Sequence, residues 1–285
     1  MMDRRHFILS FSALAFAAAV SSPLVAAPFA SRRISVEVRG TGPDVVLIPG
    51  LTASRAMWAE TVAAVPGYRY HLVQVAGFGG EPAGANGAGE VVAPVAAEIA
   101  RYIAEAGLKA PAIIGHSMGG TLGLILAARY PRQVGRLMVV DMLPQPAGLV
   151  GSDAAGIRPL ADGLFGLLGG SVMGRQLIES LMGQYGGDAR GGPKSDPDVV
   201  ARATHELAVL DLTAELPRIR VPLAIVYALP PAGGGVDPAL TARRFRAAYA
   251  GAPTATLTGI ANSGHMIMDD QPARFRAAVK AFLGD

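Results

Sequence analysis

Ile34-Ser35-Val36-Glu37-Val38 alternates apolar and polar positions, the period of a strand with one buried face. Asp44 to Ile48 is a short apolar run closed by Pro49-Gly50, which predicts a buried strand stopped by turn residues. Ser54 can cap a helix running to about Val65. Tyr70 to Val75 predicts a further strand, ending in the glycine-rich turn Gly77-Phe78-Gly79-Gly80. Beyond a loop rich in Gly and Ala, Val92, Val95, Ala96, Ile99 and Ile103 recur at helical spacing. Ala112 to Ile114 predicts a buried strand, Gly119 to Tyr130 a helix ended by Pro131, and Leu137 to Val140 the next strand. The same rhythm resumes late in the chain, with strands at Leu223–Tyr227 and Thr254–Thr258 and helices at Pro238–Tyr249 and Pro272–Leu283.

Strands that alternate with helices predict an α/β fold: a mostly parallel central sheet with helices on both faces and right-handed crossovers. The segment from Leu143 to Pro217 breaks the alternation. It is rich in Gly, Leu and Met and carries no strand pattern, so it reads as a helical cap inserted into the fold. The expected organisation is a core made of residues 28–142 and 218–285, with the cap at 143–217.

Composition agrees with a large buried core, since 51% of the 285 residues are hydrophobic and only 16% are charged. The formal charge is +3, and the basic residues are scattered. With a single Trp58 and few other aromatics, this argues against a nucleic-acid partner. The chain has no cysteine, which excludes disulfides, zinc–thiolate sites and a cysteine nucleophile.

The N-terminus changes the picture of where the chain works. Arg4 and Arg5 precede an uncharged apolar run from Phe7 to Val20, and small residues follow from Ser21 to Ala27. This is the layout of a signal peptide over residues 1–27, and Arg4-Arg5-His6-Phe7-Ile8 resembles a twin-arginine export signal. The apolar run is short for a membrane span. The expectation is an exported, periplasmic bacterial protein whose mature chain makes no stable membrane insertion.

The candidate chemistry centres on Gly115-His116-Ser117-Met118-Gly119, a G-x-S-x-G pattern that follows a buried strand and opens a helix. A serine there sits on a sharp turn with its hydroxyl presented, and the flanking glycines remove side chains where helix and strand cross closely. Serine needs a base to take its proton. His265, in Ser263-Gly264-His265, lies between the last strand and the last helix, where that base is expected. Of the other histidines, His6 falls in the leader, His71 in a strand and His205 in the cap, while His116 supports the elbow from within. His205 is read as a structural cap residue, with a substrate contact as the alternative. Two backbone N–H groups are needed to hold an oxyanion. Met118, after the nucleophile, supplies one, and Leu51, in the turn Pro49-Gly50-Leu51, the other.

Taken together, this elbow with Gly120, the early turn, Gly77-Phe78-Gly79 and the late Ser263-Gly264-His265 resemble the α/β-hydrolase superfamily over about residues 34–283. A serine nucleophile implies the esterase-like branch rather than the aspartate-dependent dehalogenases and epoxide hydrolases. Relatives place the third, acidic member of the triad just after the strand that here is Leu223–Tyr227, but this chain continues Ala228-Leu229-Pro230-Pro231 with no carboxylate. Asp141 is the first choice for that acid and Asp237 the alternative, although Asp237 stands before Pro238 where helix capping would explain it. Asp269 and Asp270 are expected to cap the final helix.

The reading is therefore a serine hydrolase of carboxylic esters, acting through an acyl-enzyme on Ser117, with no metal or organic cofactor implied. Cleavage of a lactone, an amide or a carbon–carbon bond, haloperoxidase-like chemistry, and a non-catalytic ligand-binding protein are the alternatives. Leu164, Phe165, Leu167, Leu168, Met173, Leu177, Leu181 and Met182 in the cap suggest a pocket for an apolar portion of a small-molecule ester.

Overall fold

The computed structural model describes residues 29–168, 194–232 and 237–284. The leader expected at residues 1–27 lies outside them, as do Met173, Leu177, Leu181 and Met182 of the expected apolar pocket and the side chains of Leu167 and Leu168.

Seven strands form one sheet in the order β1-β3-β2-β4-β5-β6-β7. They are β1 (Ile34–Arg39), β2 (Asp44–Ile48), β3 (Arg69–Val75), β4 (Ala112–His116), β5 (Arg136–Val140), β6 (Leu223–Leu229) and β7 (Ala255–Ala261). Only β1 runs antiparallel, against β3; the remaining neighbours are parallel. Parallel strands must be joined by crossovers, and these carry α1 (Ala59–Ala64), α2 (Val92–Glu105), α3 (Met118–Arg129) and, later, α6 (Pro238–Ala248).

Helices cover both faces of the sheet, which is why the central strands read as unbroken apolar runs. In β2, Val46 and Ile48 join the core under α2 and α3, while Val45 and Leu47 join the opposite core around Trp58 and Phe275. Trp58 and Phe275 stack with ring centroids 6.4 Å apart, tying the start of α1 to α8 (Pro272–Leu283). Helix α3 is buried along almost its whole length, from Met118 to Ala128, and so it has no polar face. Its glycines follow from that depth. A Cβ on Gly119 would stand 2.2 Å from the carbonyl oxygen of Ile48, and one on Gly115 would stand 2.1 Å from that of Gly119.

The helix expected from Ser54 to Val65 is split. Ser54 Oγ accepts from Ala56 N at 3.2 Å, but the residues it caps, Arg55–Trp58, wind as a 3₁₀ turn before α1 begins. The tight winding turns Trp58 fully into the core.

Between β5 and β6 the described residues are helical, with α4 (Ala154–Leu168), α5 (Pro197–Val209) and two 3₁₀ turns, Pro146–Val150 and Thr213–Arg218. Asp196 caps α5, its carboxylate accepting from the N–H groups of Asp198 and Val199, with Pro197 at the first helical position. Helix α5 is bonded to the core. Glu206 accepts from Val91 N and Val92 N at 2.8 and 2.7 Å, at the start of α2, and Arg202 donates to the carbonyl of Asn86 at 2.9 Å. Helix α4 packs against α5. Among the described residues no helix is long and apolar enough to cross a membrane.

Because the atom facing Gly119 is backbone of β2 and cannot swing aside, Gly119→Ala is expected to cost about 2 kcal/mol or more of stability. Denaturant unfolding followed by circular dichroism measures it, and an unchanged midpoint would show that α3 can lift off the sheet.

Candidate active site

The strands end together at one edge of the sheet, and the candidate residues gather at those carboxyl ends. Ser117 follows β4 directly, at φ 52° and ψ −121°, a conformation L residues seldom adopt. The turn is held from both sides: Ser117 N donates to Val140 O at 2.9 Å, and Ser117 O accepts from Gly120 N at 2.8 Å. The chain therefore reverses from strand into helix within one residue, and Met118 opens α3 with its N–H among those that have no partner inside the helix.

The turn expected to carry the second donor lies alongside. A Cβ on Gly50 would stand 2.9 Å from His116 Nδ1 and 3.2 Å from Ser117 Cβ, so only glycine allows Pro49-Gly50-Leu51 to approach so closely. Ala53 N donates to Gly50 O at 3.3 Å, closing the turn, and Thr52 within it sits at φ 62°.

His265 arrives on the loop after β7. Asn262 turns the chain at φ 59°, Ser263 N donates to Leu229 O at 3.1 Å, and His265 O accepts from His116 Nε2 at 3.0 Å. The imidazole is 42% exposed, open to a substrate. Its Nδ1 meets Asp141 Oδ2 at 2.7 Å. Asp141 follows β5 at φ 52°, donates its own N–H to Val226 O at 2.8 Å, and accepts from Ala228 N through Oδ1 at 2.9 Å. An ionised carboxylate can only accept, so the proton of a neutral His265 sits on Nδ1 and Nε2 carries the free lone pair.

The surroundings are kept uncharged. His116 is 2% exposed, and its pKa is pushed down to about 3, chiefly by burial and secondly by the neighbouring His265. Its Nε2–H is committed to His265 O, and its Nδ1 has no hydrogen-bond partner among the described residues. Tyr249 donates to Met142 O at 2.7 Å, and burial, with the charge of Asp141 second, raises its pKa well above the usual phenol value.

The structure separates the two candidate acids. Asp141 touches His265, whereas Asp237 caps α6, accepting from Ala239 N at 2.8 Å, with Arg243 at 3.7 Å. Asp269 and Asp270 do not cap the final helix as expected. They lie in a separate short helix, α7 (Ile267–Asp270), and Gln271 stands at the start of α8 without a side-chain cap. Asp270 Oδ2 instead accepts from Gly264 N at 2.8 Å, so it fixes the loop that carries His265. Spacing could not show this, because an acid shortly before a helix also reads as a cap.

Sequence reasoning also missed Gln74 and Ser195. Gln74 is buried in β3; its Oε1 accepts from Arg55 N at 2.8 Å and its Nε2 donates to Phe78 O at 3.0 Å. Ser195 donates to Thr52 O at 3.1 Å and accepts from Gly79 N at 3.2 Å. Of the other histidines, His71 is buried between Tyr102 Oη (2.6 Å) and Asp44 Oδ1 (2.9 Å). His205 bonds Asp162 at 2.7 Å, on the wall of a cavity of about 410 Å³ between α4 and α5. That cavity is apolar, with Ile157, Leu160, Leu164, Phe165 and Val200 among its lining. Among the described residues no group of three or more His, Cys, Asp or Glu side chains could hold a metal ion.

A family model described as "Alpha/beta hydrolase family" matches residues 45–278. The chain is similar to a pimeloyl-[acyl-carrier protein] methyl ester esterase from Aeromonas hydrophila, at 36% identity over 39% of the chain and 42% of that relative. A Vibrio atlanticus protein of the same name matches at 24% identity over 67% of the chain and 77% of its own length. A putative carbamate hydrolase RutD from Yersinia enterocolitica matches at 32% identity over 35% of the chain and 36% of its own length. The chain thus spans less than half of the Aeromonas and Yersinia relatives. Among solved structures, a thermophilic esterase from Thermogutta terrifontis superposes with a TM-score of 0.67 at 21% identity, covering 88% of this chain and 92% of that one. The enol-lactonase from Burkholderia xenovorans superposes at 0.63 and 20% identity, covering 88% and 96%. At these identities the superpositions speak to the fold.

Between its folded pKa of about 3 and the ordinary 6.5, His116 stays neutral in the fold but takes up a proton when the chain unfolds. Its contribution to stability is therefore complete above the ordinary value and is lost as pH falls toward the folded one, at up to about 1.4 kcal/mol per pH unit. His116→Gln, which keeps a donor for His265 O, is expected to flatten the acid side of the stability–pH curve. Chemical denaturation at a series of pH values compares the two slopes, and parallel curves would contradict a buried neutral imidazole.

Proposed function

The chain belongs to the alpha/beta hydrolase family, and from that premise we propose that it is a serine hydrolase that cleaves carboxylic esters through an acyl-enzyme on Ser117. The observation that carries the reading is the 2.7 Å bond from His265 Nδ1 to Asp141, which leaves Nε2 free to act as a base, on a loop bonded to the elbow through His116.

In this mechanism His265 Nε2 takes the Ser117 proton as Oγ attacks the ester carbonyl. Asp141 orients the imidazole and stabilises its charged form. The backbone N–H groups of Leu51 and Met118 hold the oxyanion. The tetrahedral intermediate collapses, and the alcohol leaves with the proton from His265. Water then gives up a proton to His265 and attacks the acyl-enzyme; the bond to Oγ breaks, the acid leaves, and His265 returns the proton to Ser117. The neutral state of His116 matters here, because a second positive charge beside His265 would oppose formation of the imidazolium. Leu164 and Phe165 line the apolar cavity between α4 and α5, which suits an apolar portion of a substrate, with Ser117 and His265 outside that lining. Ester cleavage is also the reaction named for the Aeromonas and Vibrio relatives.

The reading includes export through the leader at residues 1–27. It is supported by Arg4-Arg5 ahead of the uncharged apolar run Phe7–Val20 and by the small residues from Ser21 to Ala27.

Ser117→Ala is expected to abolish turnover of nitrophenyl esters and labelling by a fluorophosphonate while leaving the fold intact. Asp141→Asn should lower kcat by about 10³- to 10⁴-fold. Asp237→Ala should leave kcat unchanged, and a large loss there with none at Asp141 would overturn the assignment. For export, Arg4→Lys combined with Arg5→Lys should hold the uncleaved precursor in the cytoplasm of a bacterial host, read by fractionation and N-terminal sequencing.

A further inference from the structure

Ser195 immediately precedes the residue that caps α5, far along the chain from the elbow. It is 8% exposed and takes part in no ladder or helix, yet it bridges two loops of the core. Its hydroxyl donates to Thr52 O at 3.1 Å and accepts from Gly79 N at 3.2 Å. The accepted bond fixes the hydroxyl from one side, which aims its proton at Thr52.

The consequence follows from which atoms share a peptide group. Thr52 C=O and Ala53 N–H belong to one planar amide. Ala53 N donates to Gly50 O at 3.3 Å, and Gly50 C=O belongs to the same amide as Leu51 N–H. The serine hydroxyl, two amides and the Leu51 N–H thus form a single head-to-tail series. Each member sets the tilt of the next, and hydrogen bonds in series polarise one another. Thr52 stands at a left-handed φ of 62° where its carbonyl meets Ser195. Gln74 braces the same loop, donating to Ala53 O at 3.4 Å and accepting from Arg55 N at 2.8 Å, but it meets neither amide of the series.

From this we infer that Ser195 is a positioning residue for the oxyanion hole: it fixes the Leu51 N–H through the Thr52–Ala53 and Gly50–Leu51 peptides, and so makes that donor depend on the seating of α5. The inference rests on the ester-hydrolase reading and deepens it. It places control of transition-state stabilisation in the helical segment between β5 and β6, in a residue that never meets the substrate.

The test compares the full chain with Ser195→Ala and Ser195→Thr, using nitrophenyl ester kinetics and the affinity for a trifluoromethyl ketone, whose adduct carries an oxyanion. An intact oxyanion donor is worth about 10²–10³ in rate, and a donor that is merely loosened should lose part of that. Ser195→Ala is expected to lower kcat by about five- to thirty-fold with KM within about twofold, and to weaken the ketone by the same factor as kcat/KM. Ser195→Thr, which keeps the hydroxyl, should recover most of kcat. Complete labelling by a fluorophosphonate at long times would show that every Ser195→Ala chain is folded around a usable Ser117. An active wild type with unchanged kcat in Ser195→Ala overturns the role of Ser195 alone. So does a loss of kcat that leaves ketone affinity unaltered, or one that Ser195→Thr does not recover in chains that label fully. A wild type that neither turns over esters nor labels overturns the ester reading and this inference with it.

Discussion

Nδ1 of His265 and Oδ2 of Asp141 are 2.7 Å apart across 124 residues of chain, and the geometry of the site follows from that bond. The imidazole stands 42% exposed on a loop, with the His116 ring against it at 4.6 Å between centroids. Asp141 fixes the ring through Nδ1, while His116 on its carbonyl and Asp270 on the preceding N–H fix the loop that carries it. Asp141 can serve as the anchor because its other oxygen is held by Ala228 N at the end of β6. The absence of a carboxylate after that strand is thus offset by a backbone donor, which fixes an acid supplied by the neighbouring strand instead.

Three polypeptide segments meet at the serine with almost no free volume. Gly119 lies against the carbonyl of Ile48, Gly115 against that of Gly119, and Gly50 against His116 and Ser117. Close backbone contact thus holds the early turn against His116 and Ser117 and the head of α3 against Ile48. It also excludes water from beneath the site, and that burial is what keeps His116 and Tyr249 neutral around the Asp141–His265 pair.

The helical segment between β5 and β6 contributes more than apolar surface. Glu206, Arg202 and Ser195 bind it to the loops that begin α2 and flank the elbow, whereas α4 leans on α5. The apolar cavity lies between those two helices. One wall of it is therefore hydrogen-bonded to the loops of the core.

The amino-acid sequence by itself determined whatever depends on local sterics and periodicity. Buried strands appear as apolar runs, α2 as a repeat of Val and Ile, and the elbow as glycines spaced around Ser117, because each of these constraints acts within a few residues. The same locality makes Asp237 legible as a cap, since Pro238 follows it. What the sequence left open was decided by the register of distant loops. The choice of Asp141 over Asp237 depends on where β5 ends relative to β7. The bond from Asp270 to Gly264 rather than to the helix after it depends on the break at Gln271, and the reach of Ser195 to Thr52 on how α5 docks. A carboxylate or a hydroxyl satisfies its hydrogen bonds with whichever donor or acceptor the folded chain brings near, and only the tertiary structure establishes which one that is.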